Sequence, residues 1–390
     1  MGIFSKGKND GDLMLVFHIG SSAVGGALFT VQDGLTPKIT FSVVEPIAIE
    51  ENLDPDRFFA KTLSALEVAA GKLHKAGLGA PARIFCVLAS PWCASQTRTL
   101  ELKKNAQFVF TEKVADELIK KEIKLFTSEQ LSRYGDAVRN IELKNIKTLL
   151  NGYDTPEPLY QKTSQVQMML FISMGGEAAL AKIEETIRKF FQFEQIKFSS
   201  FAMSSFTVAR DLDPKRENFL LVDIGGEVTE IFMVKKNILR ESISFPVGRN
   251  FFTRGVARSL GSTISEANSL ISLFKHGHAE ETVAAKLSTI MDQLRAEWLR
   301  KFQESLANLS NDISVPGAVY LTSDLNFTDL FYETIKAEQF SQYTLADSKF
   351  EITALNTVLL HNFAKFEDES VRDPFLIIDS VYISRFLLKP

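Results

Sequence analysis

The sequence predicts an α/β protein of two lobes, each a mixed sheet flanked by helices, with a small α+β subdomain inserted in the first lobe. Three observations predict it. The length of 390 residues gives each of two domains enough chain to bury a core of its own. Short apolar runs and helical patterning follow one another in the order strand, strand, strand, helix, strand. Finally, the chain echoes itself: Leu15-Val16-Phe17-His18-Ile19-Gly20-Ser21-Ser22 lines up with Leu220-Leu221-Val222-Asp223-Ile224-Gly225-Gly226-Glu227. In both places an apolar strand runs into a small-residue turn and then a second apolar strand, as two related lobes would require. Any two buried hairpins look alike over so short a span, so a chance likeness stays open at this point.

Leu13 to Ile19 and Val24 to Val31 read as a hairpin, followed by a third strand near Ile39 to Ile47. A helix starts after Asp54-Pro55, with Phe58, Phe59, Leu63, Leu66, Val68, Ala69 and Leu73 recurring at helical spacing up to Gly77. Arg83 to Leu88 is the next strand. The pattern changes after Pro91: Thr97 to Lys103 alternates, Glu112 to Phe126 is an amphipathic helix, and Val138 to Leu150 alternates up to the turn Asn151-Gly152. Residues 91–163 are therefore assigned to the insert, between first-lobe segments 12–90 and 164–214. The second of these holds a strand from Val166 to Met174, a helix from Glu177 to Phe191, a strand around Ile196 to Phe201 and a short helix to Asp211. Asp211 to Asn218, with Pro214 among charges, is the expected interlobe link. Residues 215–248 and 311–390 form the second lobe around a helical subdomain, 249–310. In that subdomain Glu280 to Leu309 carries Val283, Leu287, Ile290, Leu294, Trp298, Phe302 and Leu306 toward a core. Ile377 to Leu388 is expected to be the last helix of the second lobe.

Composition removes several function classes. The formal net charge is -4, from 44 basic and 48 acidic residues, without the one-signed field of a nucleic-acid binder. Two cysteines, Cys86 and Cys93, make neither a disulfide framework nor a zinc site and suit a reducing compartment. Leu13 to Ile19 is too short to span a bilayer, so the chain reads as neither secreted nor membrane-spanning. The polar opening with Ile3, Phe4, Lys6 and Lys8 reads as a frayed terminus. His276-Gly277-His278 reads as a solvated helix end rather than a metal site, and there is no Gly-x-Ser-x-Gly nucleophile elbow.

The chemistry lies in the two turns. Gly and Ser let successive backbone N–H groups converge on an anion, because no Cβ blocks the approach. Two such turns face to face clamp a polyphosphate, and an Asp preceding the Gly of each turn normally holds a hydrated magnesium ion. Asp223 fits that role; His18 does not. His18 reads either as a satisfied polar residue at a strand end or as a phosphate contact.

Asp223-Ile224-Gly225-Gly226-Glu227-Val228-Thr229-Glu230 resembles the second phosphate loop of actin-like ATPases, and His18-Ile19-Gly20-Ser21-Ser22 resembles a degenerate first one. Ile146 to Pro158, with Asn151-Gly152-Tyr153, is similar to the inserted subdomain of the branch that holds the cell-division protein FtsA and the type IV pilus assembly protein PilM. Phe245-Pro246-Val247-Gly248-Arg249-Asn250-Phe251-Phe252-Thr253 and Ser265-Glu266-Ala267-Asn268 resemble its small helical subdomain. The resemblance implies the two-lobed actin-like (RNase H-like) fold, with ATP and magnesium as ligands. The implied contacts are Gly20, Ser21, Ser22, Asp223, Gly225, Gly226, Gly248, Thr322 and Ser323, with Asp223 on the metal.

Departures weaken the ligand expectation. His18 replaces the first-loop carboxylate. Phe201-Ala202-Met203-Ser204-Ser205-Phe206 has no acid where the family crosses between lobes, and Ser323-Asp324-Leu325 replaces a glycine pair against which adenine lies. Phosphoryl transfer depends on positioning and charge, so hydrolysis is expected to be weak or absent. The resemblance then implies a bacterial cytoplasmic scaffold at the inner face of the cell membrane, reached through a partner. It binds the cytoplasmic tail of an inner-membrane assembly protein, and self-association stays open. PilM is the preferred branch because Phe386-Leu387-Leu388-Lys389-Pro390 ends the sequence without FtsA's polar linker and amphipathic helix. The alternatives are an FtsA-like division-ring tether and an active actin-like ATPase.

Overall fold

The computed structural model describes residues 11–31, 36–134, 137–309, 314–323, 327–338, 349–368 and 370–388. The frayed-terminus reading, Asp324 with Leu325, and the final Lys389-Pro390 lie outside them.

The first lobe begins with β1 (Met14–Ile19), β2 (Ala23–Val31), β3 (Pro37–Pro46), α1 (Pro55–Lys75) and β4 (Arg83–Leu88). Asp54 starts α1 because its carboxylate accepts the Arg57 N–H at 2.9 Å, and Pro55 at the first helical position has no N–H to leave unpaired. The insert follows as β5 (Cys93–Val109), α2 (Glu112–Tyr134), β6 (Val138–Leu150), β7 (Tyr153–Asp154) and β8 (Lys162–Gly176). Asn151 and Gly152 both take positive φ, +50° and +84°, which is what a two-residue β6–β7 turn needs. The chain returns through α3 (Glu177–Arg188), β9 (Ile196–Ser200) and α4 (Phe201–Leu212).

The second lobe comprises β10 (Phe219–Ile224), β11 (Thr229–Lys235), β12 (Ile238–Phe245), α5 (Arg249–Leu260), α6 (Ile264–Lys275), α7 (Glu281–Leu309), β13 (Ala318–Ser323), α8 (Thr328–Ala337) and β14 (Glu351–Ala354). Then β15 (Lys365–Phe366) pairs with β3, carrying the chain back to the first sheet, and α9 (Pro374–Tyr382) runs into a π-helical turn, Ile383–Leu387.

The two principal sheets share one topology. The first is ordered β15-β3-β2-β1-β4-β9 and the second β12-β11-β10-β13-β14. In each the first strand pairs antiparallel with the second and parallel with the fourth, and the second pairs antiparallel with the third. The internal echo is thus a repeated fold. The third sheet, β5-β8-β6-β7, belongs to the insert; β5 and β8 extend beyond the Thr97–Lys103 and Val166–Met174 runs, and the second of these, read from sequence as a strand of the returning first lobe, pairs with β5 and β6 in this third sheet.

Strand alternation divides the core. Leu15, Phe17 and Ile19 face one layer with α1 and α3, while Met14 and Val16 face the space between the lobes. In the second lobe Leu220, Val222 and Ile224 face α5 and α7, while Phe219 and Leu221 face the interlobe space. That space is filled by α4 and α9 in a single apolar cluster reaching both sheets. Here the structure departs from the sequence reading: α9, expected as the last helix of the second lobe, is a shared middle layer, with Leu376 packed on Gly25 of β2. The buried hydroxyls of α4 are satisfied locally, Ser205 by the Phe201 carbonyl and Thr207 by that of Met203. No helix among the described residues is long and apolar enough to cross a membrane.

Candidate functional site

The repeat brings the two small-residue turns together at the same end of the sheets. Gly20, Ser21 and Ser22 link β1 to β2; Gly225 and Gly226 link β10 to β11; Gly248 caps α5; Thr322 and Ser323 end β13. The turns are in contact. The Ser21 hydroxyl accepts the Glu227 N–H at 3.2 Å, and a Cβ placed on Gly226 would lie 2.2 Å from the Ser21 carbonyl oxygen. Glycine is required at Gly226 by this approach of one lobe to the other. On its far side the second turn is closed too. The first two N–H groups of α5, from Arg249 and Asn250, donate to the Gly225 and Gly226 carbonyls at 3.0 and 2.9 Å. A helix N-terminus that could meet an anion is here spent on the turn itself.

Glu227 seals the contact. Its buried carboxylate accepts Nη1 and Nη2 of Arg254, both at 2.7 Å, and Nδ2 of Asn250 at 2.8 Å. Arg254 Nε continues across the cleft to the Glu50 carbonyl oxygen of the first lobe at 2.7 Å. Beside this, Ser90 of the first lobe donates to Glu230 of the second at 2.8 Å, and Ser242 to the Ser95 carbonyl at 2.9 Å.

His18 and Asp223 occupy equivalent registers, the third inward positions of β1 and β10, but they are satisfied differently. Asp223 Oδ1 accepts the hydroxyl of Thr322, its direct neighbour on β13, at 2.7 Å. Burial pushes Asp223 up to about 6, against the opposing pull of that bond and of His18. The residue beside His18 on β4 is Val87, which offers no polar group. His18 instead reaches α9, where Nδ1 lies 2.8 Å from Asp379 Oδ2, with the ring against Phe201 and Phe375. Burial disfavours its charge, but the Asp379 carboxylate outweighs that, and the imidazole pKa lies above its ordinary value. Asp373, which caps α9 by accepting the Leu376 N–H, is pushed by burial to about 6. A cavity of about 250 Å³ lies among His18, Ser22, Ser90, Asp223, Asp373 and Phe375.

ATP with magnesium does not fit this closed arrangement. The cavity is smaller than the roughly 300–1,000 Å³ of sites that enclose drug-sized ligands. The turns that would clamp phosphates touch each other. Admitting a polyphosphate requires the lobes to part.

Asp379, buried on α9 against His18, is an acid that sequence reasoning passed over. Its signal was a lone carboxylate inside the apolar run Pro374–Tyr382. Glu227 was quoted with its loop but given no role, and nothing marked Arg254. A further buried acid, Glu142 on β6, accepts the N–H and hydroxyl of Ser200 at 3.0 and 2.7 Å and the hydroxyl of Tyr382, tying the insert to α4 and α9. His276 and His278 sit at the solvated end of α6, as read.

No family model and no curated protein matches the chain. Among solved structures it is similar to a chain of a PilM-PilN type IV pilus biogenesis complex, over 97% of this chain and 99% of that one, at 16% identity and a TM-score of 0.61. A Bacteroides thetaiotaomicron protein with actin-like ATPase fold and unknown function matches over 94% and 96%, at 8% identity and a TM-score of 0.39. The ethanolamine utilization protein EutJ from Carboxydothermus hydrogenoformans matches over 96% and 89%, at 9% identity and a TM-score of 0.42. The first likeness, together with the duplicated sheets, establishes the two-lobed actin-like fold.

Proposed function

We propose that the chain is a PilM-like scaffold of type IV pilus assembly. In this reading it docks the short N-terminal cytoplasmic tail of a single-span inner-membrane protein at the insert, or in the groove between insert and first lobe. The observation that carries it is the full-length correspondence with a chain from a PilM–PilN complex, with the insert included in the covered length. Through that tail the scaffold sits at the inner face of the membrane. Its role is mechanical, and ATP hydrolysis is weak or absent. The insert suits such a role because its β6 is tied through Glu142 to both interlobe helices, so load on a docked tail passes into the body of the protein.

The test is a pull-down of the purified chain with N-terminal tails of pilus-assembly membrane proteins, alongside the tail of a division-ring protein. Retention of a pilus tail, lost when the insert surface is mutated, supports the reading. Selective retention of the division tail makes the chain FtsA-like instead. Magnesium-dependent ATP turnover at an ordinary ATPase rate, abolished in Asp223→Ala, overturns the scaffold reading.

A further inference from the structure

The phosphate-facing turn of the second lobe contains an anion that belongs to the chain. Glu227 lies directly after Gly225-Gly226, and its carboxylate is only 7% exposed. Its donors are those a phosphate would use: a guanidinium fork with two equal 2.7 Å bonds and a side-chain amide at 2.8 Å. Arg recognises carboxylate and phosphate with the same planar geometry. Both partners are largely buried, with the Arg254 side chain 14% exposed, so neither is a loose surface ion.

The same two residues hold the lobes together. The backbone N–H of Glu227 reaches Ser21 of the first lobe, and the remaining face of the Arg254 guanidinium reaches the Glu50 carbonyl oxygen. A carboxylate on the chain thus stands where an exogenous anion would bridge two turns, and the bridge is complete without one.

We propose that Glu227 is an internal anion: it occupies a phosphate-type site formed by Arg254 and Asn250 and closes the cleft without nucleotide. Two consequences follow. Phosphate ligands are excluded from the wild-type site both by occupancy and by the charge of Glu227. Removing the carboxylate while keeping its donors turns the position into a site for a small free anion such as inorganic phosphate. This inference concerns cleft closure and stands whether or not a pilus tail binds.

Thermal unfolding of the full chain tests it, using ATP with magnesium, inorganic phosphate and chloride at matched ionic strength. The wild type is expected to show no shift in Tm beyond the chloride control with either ligand. Glu227→Ala is expected to melt several degrees lower and to recover at least half of that loss in millimolar phosphate. Glu227→Ala combined with Arg254→Ala is expected to show no recovery. Glu227→Gln keeps the shape and is the variant to use if Glu227→Ala does not fold; it should melt lower than wild type, without phosphate rescue. A wild-type Tm raised several degrees by ATP with magnesium overturns the proposal, as does a folded Glu227→Ala that phosphate does not rescue.

Discussion

The first-lobe turn and the second-lobe turn are built on one topology and diverge in how a single inward position is satisfied. Asp223 finds its partner, Thr322, on the adjacent strand of its own sheet. His18 has Val87 in the corresponding place and finds Asp379 on a helix 361 residues away in sequence. The core positions around them repeat: Met14 and Val16 in one lobe, Phe219 and Leu221 in the other, all facing α4 and α9. Apolar burial asks only for size and face, so it survives duplication with little constraint on identity. A buried ionisable group asks for a named partner, and each lobe has met that demand in its own way.

The largest effect should come from breaking what joins the two turns. Arg254→Ala leaves the Glu227 carboxylate buried without its counterion and is expected to cost about 3–5 kcal/mol in a urea unfolding experiment.

Making the first turn resemble the second should come next. His18→Asp places a carboxylate against Asp379 and is expected to cost about 3 kcal/mol, although it restores the residue type of Asp223. Adding Asp379→Ser should recover most of that loss. Wild-type stability in His18→Asp alone would mean that the imidazole–carboxylate pair is not what satisfies this position.

Acidity separates the turns further. The folded-state values of Asp223 and Asp373 lie at about 6, above the ordinary 3.8, so the fold binds protons that the unfolded chain releases. Stability should therefore fall as pH rises from about 4 through 6. His18, also raised, contributes stability that is fully present below its unfolded value of 6.5 and is lost as pH rises through its folded value. Asp223→Asn keeps the oxygen that accepts from Thr322 and removes the buried charge. It is expected to be about 2 kcal/mol more stable than wild type at pH 8 and nearly equal at pH 4, read from urea midpoints at both.

The smallest effect should follow from giving the second lobe the first lobe's apolar neighbour. Thr322→Val is expected to cost about 1 kcal/mol at pH 8 and less at pH 4, where Asp223 is protonated. An equal cost at both would show that the hydroxyl serves packing alone.

Much of the fold was legible because its signals are local. β4 and β6 fall on the residues expected from patterning alone, and α1 begins where Asp54-Pro55 places it. The structure also gathers Gly, Ser and Asp positions of the two turn sequences at one cleft. What stayed hidden depends on contacts far apart in sequence. The last helix reads as apolar whether it lies outside a lobe or between two, so its shared position and the role of Asp379 could not be read from periodicity. Glu227 looked like an ordinary loop residue because the group that defines it, Arg254, lies one helix further on and carries no motif. The sequence reads the two turns as a clamp for a polyphosphate; only packing shows that Ser21 fills the space against Gly226.

Distance between the lobes is the direct readout. Spin labels at Val68→Cys on α1 and Glu297→Cys on α7, both exposed, can be placed without interference because Cys86 and Cys93 are buried. The account predicts a narrow interlobe distance distribution that is unchanged by ATP with magnesium and broadens in Arg254→Ala. A broad distribution in the free wild type that sharpens on adding nucleotide would contradict it.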